Sequence, residues 1–272
     1  MLRSARLAVP FWGVVFFLGT CGSGCDMFGD GGASIEHNLR FQVVEDWENS
    51  GKPVDPALFL KMETADTLRC INFRIQHTFE RRGAQLVVRV LDVELPISIC
   101  LTALGPAKAR RRLSIEPGTY TLTLVNGSVQ DTYEVSVTER RVEIEPSEGE
   151  WRAPSDTLLW RYPRRSFGYY CGTTDDTKEI CDQFRSRLQD LPLTSIDIPD
   201  RGHWPYQRRV EGHPYNAPVR FYRYPNSETW SLVKDRFRTV VRQHVQGMEG
   251  VGLRIVNWRA DSVRSGIADD EE

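Results

Sequence analysis

The stretch from Pro199 to Pro218, PDRGHWPYQRRVEGHPYNAP, holds the densest mixture of chemically capable side chains in the sequence. It gathers His203, Trp204, Tyr206, Arg208, Arg209, His213 and Tyr215, with a half-repeat of His-Trp-Pro-Tyr and His-Pro-Tyr. Trp and Tyr rings can stack on sugars or bases, and Arg can grip a carboxylate or phosphate through paired N–H groups. A histidine of this stretch, His203 or His213, beside a carboxylate such as Glu211 or Asp200, could also move protons in a hydrolysis. The competing reading is structural: the aromatics pin a long loop to its scaffold and the prolines stiffen it. The spacing of the two histidines matches no metal-site pattern, so no metal or cofactor is expected. No GxSxG, Walker loop, HExxH or dinucleotide fingerprint occurs. The stretch is thus a candidate ligand-binding loop with no assigned catalytic residue. A binding or structural component is expected rather than an enzyme, with a hydrolase using the His203/His213 loop as the alternative.

Six cysteines are the other reactive groups. None forms a CxxC pair and none has a histidine beside it, which argues against zinc. Four of them, Cys70, Cys100, Cys171 and Cys181, allow three pairings. The local one, Cys70 with Cys100 and Cys171 with Cys181, places one bridge in each of the two folded regions described below. Bridges of this kind require an oxidising compartment.

The N-terminus supplies a route to such a compartment. Arg3 and Arg6 precede the apolar run LAVPFWGVVFFLGT from Leu7 to Thr20, the length of a signal h-region and shorter than a bilayer span. Leu18-Gly19-Thr20-Cys21 then resembles the lipobox of bacterial lipoproteins, departing from it in having Thr before the cysteine. Cys25 follows the better small residue, Gly24, but lacks the aliphatic residue, with Gly22 in its place. The resemblance implies cleavage after residue 20, a diacylglyceryl thioether on Cys21 and anchoring in a membrane by several acyl chains. Gly22 in the second mature position favours the outer membrane. Residues 21–34, rich in Gly, Ser and Asp, read as a flexible tether.

Two regions follow. From residue 35 to 146 the pattern is β: Leu39, Phe41 and Val43 alternate, as do Ile71, Phe73, Ile75, His77 and Phe79, then Leu86, Val88 and Val90. Asn126-Gly127 marks a hairpin between Tyr120–Leu124 and Tyr133–Val137. An immunoglobulin-like or transthyretin-like β-sandwich would bury these faces. Residues 147–155 read as a polar linker. Over residues 156–266 apolar residues recur at helical spacing, Ile180, Phe184, Leu188 and Leu191, then Trp230, Val233, Phe237, Val240 and Val241. Strands are expected at Phe167–Cys171, Leu193–Ile198, Val219–Tyr224 and Val251–Trp258. The order predicts a ferredoxin-like βαββαβ domain, making the chain α+β overall. This duplicated βαβ weakly resembles the SPOR domain, which would imply peptidoglycan binding, although the long insertion departs from that compact pattern. Residues 267–272 form an acidic tail.

A net charge of −2 excludes bulk attraction to nucleic acid or to an acidic membrane. Only Lys52, Lys61, Lys108, Lys178 and Lys234 are lysines, and the many arginines are scattered rather than grouped in a patch. The expected partners are therefore the membrane, through the lipid anchor, and an envelope glycan or protein.

Overall fold

The computed structural model describes residues 38–48, 53–95, 100–101, 103–146, 157–174, 177–206 and 217–265. The proposed signal peptide, tether, linker and acidic tail lie outside these residues. Nine strands form one sheet: β1 (Leu39–Asp46), β2 (Ala57–Thr64), β3 (Arg74–Arg82), β4 (Gln85–Glu94), β5 (Lys108–Leu113), β6 (Gly118–Asn126), β7 (Val129–Val137), β8 (Arg141–Pro146) and β9 (Leu158–Trp160). Their order is β1-β2-β5-β3-β4-β6-β7-β8-β9, with β3–β5 and β4–β6 parallel and the other neighbours antiparallel. β9 comes round beside β1, so the sheet nearly closes on itself. Its inward residues make a single core to which every strand contributes, from Leu39, Phe41 and Val43 on β1 to Leu159 on β9.

The sandwich expectation fails because two strands were hidden. β2 buries Leu58, Phe59 and Leu60 in succession, so it lacks the period of two. β5, Lys-Ala-Arg-Arg-Arg-Leu, reads as a charge run. These two lie side by side between β1 and β3, and they turn what would have been two sheets into one.

A second sheet holds five strands in the order β11-β12-β10-β13-β14, every pair antiparallel. They are β10 (Ser166–Gly172), β11 (Thr194–Ser195), β12 (Arg220–Arg223), β13 (Gly252–Asn257) and β14 (Ser262–Arg264). Helices α1 (Glu179–Arg187) and α2 (Ser227–His244) pack on one face through Phe184, Trp230, Val233 and Phe237. The Asn226 side chain caps α2 by accepting from the Thr229 N–H at 2.9 Å. The ferredoxin-like α+β expectation is also corrected. Strands make up 47 % of the described residues and helices 14 %, so the described part is mainly β. The strand expected at Leu193–Ile198 shrinks to two residues, β14 extends the opposite edge, and the face away from the helices is covered rather than open.

Both disulfides form with the local pairing, Cys70–Cys100 at the start of β3 and Cys171–Cys181 between the end of β10 and α1. Among the described residues no helix is long and apolar enough to cross a membrane.

Candidate functional site

The inward-facing series of β1 continues past Val43 to Glu45 and then Trp47, at the mouth of the curled sheet. Here the two sheets meet. The Trp47 ring lies 4.6 Å from that of Tyr162, and its Nε1 donates to the Trp258 carbonyl at 2.9 Å. Around them pack Tyr170, Trp204, Tyr206, Phe221 and Val256, the covered face of the second sheet. Arg259 pairs with Asp55 across the same junction at 2.9 Å. An aromatic plug thus fills the mouth of the nine-stranded sheet.

Glu45 is the most deeply buried carboxylate at this plug. Its side chain is 2 % exposed, accepts from Arg161 Nε at 2.8 Å and from the Tyr162 N–H at 2.5 Å. Burial pushes its carboxyl above the ordinary value of 4.5, while the Arg161 charge and the Tyr162 N–H pull the other way. Both oxygens are engaged, so the group serves the junction. Burial likewise raises the Tyr162, Tyr170 and Tyr206 hydroxyls well above the phenol range. Tyr162 donates to the Pro205 carbonyl at 2.9 Å, and Tyr206 donates to the Ser166 carbonyl at 3.0 Å.

The candidate loop divides into a placed half and an unplaced one. His203 is exposed and bridges β9: its N–H donates to Leu158 O at 2.8 Å, and its carbonyl accepts from Trp160 N at 2.9 Å. Gly202 permits this approach, at φ +82°; a Cβ there would stand 2.7 Å from the Leu158 carbonyl. Trp204 and Tyr206 are brought together, with rings 6.3 Å apart, but both are buried against Phe221. Neither offers a face for stacking a ligand. Arg208, Arg209, Glu211, His213 and Tyr215 lie outside the described residues. Among the described residues, no three His, Cys, Asp or Glu side chains are grouped to hold a metal.

Sequence reasoning missed the junction residues Glu45, Trp47, Trp160, Arg161, Tyr162 and Trp258. Their signal was aromatic density: Asp-Trp at the end of β1, Leu-Leu-Trp-Arg-Tyr through β9 and Asn-Trp after β13.

No family model matches the chain, and neither a curated protein nor a solved structure matches it. Nothing in these comparisons bears on the lipobox or the SPOR resemblance. The two disulfides indicate an exported protein, outside the reducing cytoplasm.

Proposed function

We propose that this chain is a cell-envelope lipoprotein, anchored through Cys21, that acts as a binding or structural component of the envelope. Export is supported by the disulfides and by the basic, apolar and small-residue order of the N-terminus. The observation that carries the non-enzymatic reading is the aromatic plug. The rings that could have stacked on a ligand in the described part of the candidate loop, Trp204 and Tyr206, are consumed in joining two sheets. A body assembled in this way is suited to holding a fixed shape at a membrane, with an envelope protein or glycan as its partner. The outer membrane is the favoured site, from Gly22 in the second mature position.

Cys21→Ser should shift the full-length protein from the membrane to the soluble fraction and abolish fatty-acid labelling. Labelling that survives this change but disappears in Cys25→Ser would move the anchor to Cys25. Labelling that neither change affects would end the lipoprotein reading. Affinity capture from envelope extract with the lipidated protein then identifies the partner. A single cleaved glycan or peptide product, rather than a retained partner, would favour the hydrolase.

A further inference from the structure

We infer that the end of the nine-stranded sheet carrying Ile71, Leu101 and Leu104 rests against the lipid surface in which the chain is anchored, an inference that depends on the lipid anchor proposed above. These three are 43 %, 51 % and 74 % exposed, and they gather around the Cys70–Cys100 disulfide. Ile71 continues an alternating apolar pattern, yet it falls in the turn before β3 and its side chain leaves the core.

The apolar cluster is held out rather than left loose. Besides the disulfide, Leu68 and Gly105 exchange two backbone hydrogen bonds at 2.8 and 3.1 Å. The Leu101 N–H donates to Asn72 Oδ1 at 3.2 Å. Gly105 packs so closely on Ile71 that a Cβ would stand 2.8 Å from its Cγ1. A covalent and hydrogen-bonded frame therefore fixes three large aliphatic side chains towards the outside, as an apolar contact surface requires.

The position of the incoming chain indicates the occupant. Asn38, the first described residue, accepts from Ala65 N at 2.6 Å, and Thr64 N in turn donates to Ala107 O at 3.0 Å. β1 begins at this end, as do β3 and β5, and β4 finishes here. The sixteen residues from Gly22 to His37 can span at most about 55 Å when fully extended. A lipid on Cys21 thus keeps this end within reach of the bilayer. The junction of Glu45, Trp47 and Tyr162 lies at the opposite end, so the five-stranded sheet would face away from the membrane. The polar residues nearby are of mixed sign, with Arg69, Arg74 and Lys108 beside Glu63, Asp66 and Glu94. Contact rests on apolar area and is insensitive to salt.

The test places a photoreactive benzoyl-phenylalanine at Leu104, or at Gln85 as a control on the far end of β4, in the full-length lipidated protein. Each protein is reconstituted in vesicles of phosphatidylethanolamine and phosphatidylglycerol. Lipid adducts should form several-fold more at Leu104 than at Gln85, equally in low and high salt. Equal lipid labelling at the two positions, no adduct at Leu104, or a crosslink there to a second copy of the chain overturns the inference. Retention of the protein on the vesicles and its fatty-acid label are read in the same samples. A protein that is labelled and retained but forms no lipid adduct at Leu104 sinks the contact alone. A protein with no fatty-acid label sinks the anchor, whatever the crosslink shows. Preferential lipid adducts that persist in Cys21→Ser would support the contact without the anchor.

Discussion

Glu45 occupies a position where the series Leu39, Phe41, Val43 would by default continue with a fourth apolar side chain. Removing one partner of a buried pair leaves the other uncompensated, so Glu45→Ala should cost about 3 kcal/mol in urea unfolding. The Arg161 side chain keeps 20 % of its surface exposed, so water softens the loss of its partner. The pH dependence has a definite sign. Because burial raises the folded carboxyl above 4.5, at pH values between the unfolded and folded ones the folded state holds a proton that the unfolded chain has released. Wild type should therefore be most favoured over Glu45→Gln below the ordinary carboxylate value, and lose that advantage as pH rises through the folded value of Glu45. An advantage that instead grows towards neutral pH would mean that the Arg161 ion pair outweighs desolvation. Trp204 is likewise buried. Trp204→Ala should cost about 3–5 kcal/mol of stability and leave capture of the envelope partner by the folded fraction unchanged. Lost capture at an unchanged melting temperature would return the ring to a binding role.

At the scale of elements, the disulfides staple different things. Cys70–Cys100 spans 30 residues and Cys171–Cys181 spans 10. In the chain-entropy model these loops stabilise by about 3.6 and 2.7 kcal/mol respectively. Replacing both cysteines of the longer bridge with serine should thus lower the urea midpoint more than the same change in the shorter one. The reverse order would show that native packing around α1 outweighs loop length. Strands with a clean period of two, such as β4, β6 and β7, were legible in the sequence, and so were both helices, because each buries one face only. β2 and β5 were not legible, since Phe59 is buried on the outer side beneath the Arg110 guanidinium, 3.7 Å from the ring centre. An arginine covering an aromatic looks in sequence like a solvated charge beside an anomalous hydrophobe. The candidate loop was legible as unusual but not as a plug, because local composition does not reveal which surface an aromatic will meet.

Across the whole molecule, the plug makes the two sheets share one boundary. Glu45 lies on the first strand and Trp47 directly follows it, Tyr162 follows the ninth, and Trp258 follows β13. Heating should therefore give a single cooperative transition, with coincident tryptophan fluorescence and far-ultraviolet dichroism. Trp47→Ala should separate it into two; two transitions already present in wild type would show that the sheets melt independently. The ninth strand carries a further consequence, for synthesis. A chain that leaves the ribosome and crosses a membrane N-terminus first has delivered eight strands of the large sheet by Pro146. Until Leu158–Trp160 follows, β8 keeps an unpaired edge, the interior lacks Leu159, and Glu45 has neither Arg161 nor the Tyr162 N–H. Such an edge is a template for pairing with the wrong chain. The nascent protein thus passes through an interval of vulnerability that ends only when the first residues of its second half have arrived.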